Sequence, residues 1–321
     1  MTTRRHWLQR VGAAAGSLGL VPIGARAAAQ DQPSTGALIE RAIPKTGEQL
    51  PIIGLGSSAT FSQLAGREDA GALREVLARM VELGGRVFDT APGYGASEET
   101  AGRIAQELGI APRLFWATKL NAAPWGGGTA DLAAARRQID ASFARIGRSV
   151  IDLIQIHNMG DPRTQLPLLR ALEDEGRVRY IGATTTFAHQ YEALLHAMRS
   201  EPLDFIGTNY AIDDRDAERT ILPLAQERGI AVLVYAPFGR TRLWRRVAGR
   251  GVPAWAGECD AHSWAQFFLK FAASHPAVTA VTAATSRAEN MADNMAAARG
   301  RLPDEAMRRR MIALVDSLPA A

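Results

Sequence analysis

The sequence is poor in several things, and each shortage narrows what the chain can be. It has one cysteine in 321 residues, Cys259. No internal disulfide is possible, and so cysteine-poor a chain suits cytosol and periplasm alike. Aromatic residues make up only 7%. Neither a short internal repeat nor a low-complexity segment is present. The formal charge of +4 is carried by Arg4, Arg5, Arg10 and Arg26, in a leading stretch without acidic residues. The remainder is neutral, which removes the main support for a nucleic-acid or anionic-membrane partner. Arg308–Arg310 read as the solvated face of an amphipathic C-terminal helix.

What is present begins with residues 1–29, MTTRRHWLQRVGAAAGSLGLVPIGARAAA. A charged start with Arg4–Arg5 precedes a modestly apolar run from Val11 to Ile23 and small-residue triplets suited to cleavage. The run is too short to span a bilayer, so stable membrane insertion is not expected. The paired arginines resemble a twin-arginine signal, which implies an export-machinery partner and a periplasmic location. An ordinary secretion signal or a mitochondrial-type presequence remains the alternative. Residues 30–36 read as a linker and 37–321 as one domain, large enough to bury a core without staples.

Within that domain short apolar runs alternate with helical patterns. Candidate strands are 52–55, 86–89, 114–119, 151–156, 180–183, 205–209, 231–235 and 278–283. Helical spacing of apolar residues marks 69–83, 97–108, 131–146, 166–175 and 218–228. Gly84–Gly85, Gly109, Gly147, Gly176 and Gly229 stand where helices must stop. Eight strands separated by helices predict a closed (β/α)₈ barrel. An open doubly wound sheet would want a G-x-G-x-x-G turn after its first strand, and Gly54-Leu55-Gly56-Ser57-Ser58-Ala59 does not supply one.

Barrels carry their chemistry at the carboxyl ends of the strands. That rule selects Asp89, Tyr94, Lys119 and His157. Each alone has a bland reading as a cap, a loop-packing ring, an ion-pair partner or a core histidine. Together they place an acid, a phenol, an ammonium and an imidazole at one mouth. A free phenol titrates near 10 and exchanges protons poorly at neutral pH. A lysine ammonium beside it is expected to lower that value, and a carboxylate to offset the burial of the ammonium. An imidazole orients a carbonyl. With a hydride donor, this set reduces a carbonyl, Tyr94 giving the proton.

The stretches FDTAPGYGASE (88–98), ATK (117–119), DLIQIHN (152–158), GRVRYIGAT (176–184) and ATSRAENMADN (284–294) carry a resemblance to the aldo/keto reductases over roughly residues 40–300. The family's catalytic Asp, Tyr, Lys and His fall on Asp89, Tyr94, Lys119 and His157. The resemblance implies reduction of aldehydes and ketones with NADP, NAD being the alternative, and a β-hairpin at 39–53 plugging the barrel floor.

Its cofactor positions match less closely. Thr184-Thr185 stand where the family has Ser-Asn. Gly207 stands where it has a glutamine for the nicotinamide carboxamide, with Asn209 as a substitute. Tyr235 falls where a ring stacks on nicotinamide. Arg240, with Arg242, supplies charge to a loop over the pyrophosphate, and Thr285, Ser286 and Arg287 precede a helix N-terminus suited to phosphate. Asn290 stands where a basic residue is common, and Asn294 matches an adenine contact. Phe61, Trp125, Trp244 and Trp255 either line an apolar mouth or pack loops, and Gly126–Gly128 suggest a mobile loop. Three functions stay open: a small-molecule carbonyl reductase, a cofactor-holding regulatory protein with little turnover, and an internal oxidation–reduction enzyme with permanently bound NADP.

Overall fold

The computed structural model describes residues 36–67, 70–124 and 127–319. The signal-like stretch, most of the expected linker, Asp69, Trp125 and Gly126 lie outside them. Described first is a hairpin of β1 (Glu40–Ala42) and β2 (Gln49–Pro51), antiparallel, with Arg41 opposite Leu50. The barrel follows: β3 (Ile53–Gly56), β4 (Val87–Asp89), β5 (Phe115–Leu120), β6 (Ile151–Ile156), β7 (Val178–Thr185), β8 (Phe205–Asn209), β9 (Ala231–Tyr235) and β10 (Ala280–Ala284). All its pairings are parallel, and β10 closes on β3, Val281 opposite Ile53. The predicted (β/α)₈ barrel is the observed one.

Its strands are Val-, Ile- and Ala-rich and buried on both faces, because helices cover the outside. Inward-pointing Val87, Phe115, Leu153, Tyr180, Phe205, Leu233 and Ala280 fill the floor, and Ile43 and Leu50 of the hairpin close it from below. The expected plug is present. A polar rim ties it in place: Arg179 reaches both Glu48 and Asp152, the latter at 2.6 Å, and Tyr180 Oη donates to Glu48 Oε2 at 3.0 Å.

Helix ends obey the glycine signals. Gly147 and Gly229 close the helices Leu132–Ile146 and Ile221–Arg228 in the left-handed conformation, at φ 70° and 62°. Asp131 caps the first of these through Ala133 and Ala134. The arginine run departs from expectation. Arg308 turns inward, donating to the Phe271 carbonyl at 2.7 Å and to Tyr210 Oη at 2.7 Å over the Phe271 ring. Only Arg309 and Arg310 stay on the exposed side, Arg310 lying over Trp255. Among the described residues no helix is long and apolar enough to cross a membrane.

Candidate active site

Parallel strands of a barrel deliver their last side chains to one mouth. Asp89 ends β4, Lys119 is the penultimate residue of β5, and His157 follows β6. Tyr94 comes from the turn before the helix Ser97–Glu107. The four meet at a cavity of about 450 Å³. Lys119 Nζ is 2.7 Å from Asp89 Oδ2 and 2.8 Å from the Thr90 carbonyl, with both charged side chains almost wholly buried. Its ammonium lies 5.0 Å from the Tyr94 ring centroid, and the Tyr94 and His157 rings meet edge to face at 5.8 Å.

Burial and charge set the protonation states. Desolvation opposes charge on Lys119, but Asp89 and Tyr94 outweigh it and hold the ammonium above its ordinary range. Burial drives the Asp89 carboxyl upward against the pull of Lys119 and of the Tyr235 hydroxyl, and at 2.7 Å the pair stays ionic. For Tyr94 the expectation inverts. Burial, helped by Asp89, raises the phenol above 10, and the pull of Lys119 does not overcome it. Tyr94 is therefore protonated at neutral pH. Burial, then the Lys119 charge, lowers His157 to about 3, so its imidazole is neutral.

The other predicted residues divide. Thr184, Tyr235 and Arg240 line the cavity. Thr185 does not; its hydroxyl donates to Gln190 Oε1 at 2.5 Å and accepts from the Phe187 amide at 3.0 Å, shaping the turn after β7. Asn209 is engaged by Tyr191 Oη at 2.8 Å and Asp214 Oδ2 at 2.6 Å, also away from the cavity lining. Thr285 accepts from the Arg287 amide at 3.2 Å ahead of the helix Ala288–Ala296, Ser286 is half-buried beside it, and Asn294 is buried on that helix. Arg287 is exposed, 3.5 Å from Glu289. Arg242 pairs with Asp213 at 3.2 Å. Of the aromatic candidates among the described residues, Trp244 alone reaches the cavity, its ring tilted by 51° against Phe238 with centroids 4.8 Å apart. Phe61 packs on Phe88 inside the core, and Trp255 on Phe267.

The sequence reading passed over several wall residues. Asn158, Thr186 and Phe187 line the cavity, and Arg240 Nη2 donates to Thr186 Oγ1 at 3.0 Å, joining the loops after β7 and β9. Ala59, Asn158, Ala236 and Arg240 hold φ between 51° and 60° on this wall, a positive-φ backbone that costs a non-glycine residue of order 1 kcal/mol. Backbone strain concentrates at the site. Gln155 was also missed. It is fully buried in β6, opposite Lys119 in register, and its amide donates to Tyr235 Oη at 3.0 Å. A glutamine amid the apolar run IDLIQI, two residues before His157, was the available signal. Among the described residues no cluster of three or more His, Cys, Asp or Glu side chains is placed to hold a metal.

Comparison with known proteins agrees with the geometry. The aldo/keto reductase family model matches residues 52–313, and the chain belongs to that family. It is 29% identical over 208 residues to the aldo-keto reductase YhdN of Bacillus subtilis, covering 62% of this chain and 61% of that one. It is 34% identical over 128 residues to the NADH-specific methylglyoxal reductase of Escherichia coli, 38% of each chain. The chain thus spans about three-fifths or less of the length of these curated relatives. In fold it is similar to an aldo-keto reductase from Klebsiella pneumoniae in complex with NADPH, with a TM-score of 0.70 at 22% identity over 87% of this chain and 96% of that one. The holo form of an aldo-keto reductase from Bacillus halodurans gives 0.69 at 22% identity, over 89% and 98%.

Proposed function

We propose that this member of the aldo/keto reductases reduces an aldehyde or ketone to an alcohol with a nicotinamide cofactor, Tyr94 donating the proton. The carrying observation is the Tyr94 phenol on the cavity wall, beside the Lys119 ammonium and the His157 edge, where burial keeps it protonated. When bound, the reduced nicotinamide supplies hydride to the carbonyl carbon. The neutral His157 imidazole donates a hydrogen bond that orients the carbonyl oxygen. Tyr94 passes its proton to that oxygen as charge develops there. Lys119 stabilises the phenolate left behind, and Asp89 keeps Lys119 in place.

The residues present fit such a cofactor. Tyr235 offers an aromatic wall, Thr184 a hydroxyl, and Arg240 a guanidinium on the same cavity. Thr185 and Asn209 are committed elsewhere, so Thr184 is the side chain left for the carboxamide at this end. The backbone from Thr285 to Arg287 ahead of Ala288–Ala296 suits phosphate. NADP is the preferred form because the Klebsiella relative is seen with NADPH. NAD is the rival, since the Escherichia coli relative is called NADH-specific and Arg287 already faces Glu289.

Turnover of NADPH and NADH with a panel of small aldehydes and ketones, followed by nicotinamide absorbance, tests the reading. Consumption of cofactor with at least one carbonyl is expected. Bound cofactor without turnover of any aldehyde, ketone or alcohol would instead favour a regulatory cofactor-holding role. The signal-like residues 1–29 support a further part of the proposal: the folded protein is exported to the periplasm with its cofactor already in place. Nicotinamide recovered on denaturing freshly prepared periplasmic protein is the expected result, and an empty site contradicts it.

A further inference from the structure

Gly207 and Tyr235 compete for one place. A Cβ at position 207 would stand 2.7 Å from the Tyr235 hydroxyl oxygen and 2.8 Å from Cζ, far inside van der Waals contact. With position 207 bare, the phenol reaches inward. Its hydroxyl donates to Asp89 Oδ1 at 3.1 Å and accepts from Gln155 Nε2 at 3.0 Å. Lys119 holds the other carboxylate oxygen at 2.7 Å, with its ammonium 5.1 Å from the Tyr235 ring centroid. The two oxygens of Asp89 are thus taken by two different residues. Gln155 is completely buried, and its amide oxygen has no partner. Burying half an amide unsatisfied is costly, so packing alone does not select glutamine there. Its donor half has a definite task, which is to fix the phenol.

We propose that Tyr235 is a positioning residue of the proton relay: its hydroxyl fixes the Asp89 carboxylate, which fixes Lys119 beside Tyr94, and Gln155 and the bare position at Gly207 make that hold possible. The inference rests on the reductase reading of the site. Tyr235 then serves twice, its ring as cavity wall and its hydroxyl as an anchor of the relay. Gly207 is not simply a missing carboxamide ligand; it is the space that admits the anchor.

Tyr235→Phe keeps the ring and removes the hydroxyl. Assayed with NADPH and a carbonyl the parent turns over, it should lower kcat about tenfold and leave KM for NADPH within about threefold. The acidic limb of the kcat–pH profile should move to higher pH, because the carboxylate loses a donor that favours its ionised form. Unchanged kcat with an unchanged acidic limb overturns the proposal, as does a loss confined to KM for NADPH. A second measurement needs no cofactor. Urea-unfolding midpoints of the ligand-free full chain are compared for Tyr235→Phe, Gln155→Met and the double variant. Bonds made through one hydroxyl give non-additive losses, the double costing about as much as the worse single. Additive losses overturn the hold. If the parent reduces no carbonyl with either cofactor, the reductase reading fails, while the unfolding cycle still decides whether the hydroxyl joins Gln155 to Asp89.

Discussion

His157 shows most simply how burial sets chemistry at the scale of one residue. Its folded value near 3 lies far below the ordinary imidazole value near 6.5. Between those limits the unfolded chain binds a proton that the folded protein refuses, so stability falls as pH drops from about 6.5 toward 3. The slope reaches about 1.4 kcal/mol per pH unit for one such group. His275, lowered to about 4 by burial, adds to it. Unfolding midpoints in urea from pH 7 to 4.5 should therefore decline, and His157→Gln should make the decline shallower by about one proton's worth. A slope indifferent to the substitution would mean the imidazole is not held neutral. Trp244 makes a second residue-scale case, being 39% exposed on the cavity wall against Phe238. Trp244→Ala is expected to raise KM for aldehydes with apolar tails by about tenfold and to leave kcat for the smallest aldehydes near its parent value. Equal effects on large and small substrates would argue against a substrate contact.

That Asp89, Tyr94, Lys119 and His157 share one mouth could be read from the chain because each lies at or just after the carboxyl end of a strand, a position that barrel topology converts into a common cavity. The direction of the Tyr94 shift could not be read. It depends on how much burial the phenol suffers, which only packing decides. The hydrogen-bond partners of Thr185 and Asn209 could not be read for a related reason. Short polar side chains at strand ends serve a ligand or the local turn equally well, and here the turn and the neighbouring side chains took them.

At the scale of elements, strand cores were legible from apolar runs bounded by glycine, and Ile151–Ile156, Phe205–Asn209 and Ala231–Tyr235 match their expected limits. The helices Tyr191–Ser200 and Trp264–Ala273 were not marked in the sequence. The latter is buried from Ala265 to Ala273, and its polar pair Gln266 and Lys270 is buried with the rest, so polarity does not mark a solvent face. Close approach of elements is likewise hidden in single letters. Gly102 lies where the helix Ser97–Glu107 crosses the end of Leu132–Ile146, and a Cβ there would stand 2.8 Å from the Ile146 carbonyl oxygen. Gly102→Ala should lower stability by about 1–3 kcal/mol through this backbone clash, despite alanine's better helix propensity. Denaturant unfolding checks it, and a neutral or stabilising result would mean the two helices separate freely.

At the scale of the whole molecule, the barrel isolates chemistry from stability. The hairpin and the floor residues close one end, and the strained, loop-built cavity occupies the other. The family and the architecture were legible because the motifs sit at fixed strand ends. The substrate was not, because the mouth is built from loop residues such as Asn158, Thr186 and Phe187, whose positions follow from backbone turns. The proposed export also belongs to this scale. Replacing Arg4 and Arg5 together by lysine should retain the protein in the cytoplasmic fraction, with its carbonyl reduction intact in lysate. Unchanged periplasmic recovery would show that the pair is not the address.

The central claim is that Tyr94 gives the proton in a carbonyl reduction supported by Lys119, Asp89 and His157. The most direct test compares parent and Tyr94→Phe for NADPH affinity by fluorescence titration and for kcat on an aldehyde the parent reduces. Affinity should stay within about threefold while kcat falls about 10²- to 10⁴-fold. A Tyr94→Phe enzyme that keeps the parent's kcat would contradict it.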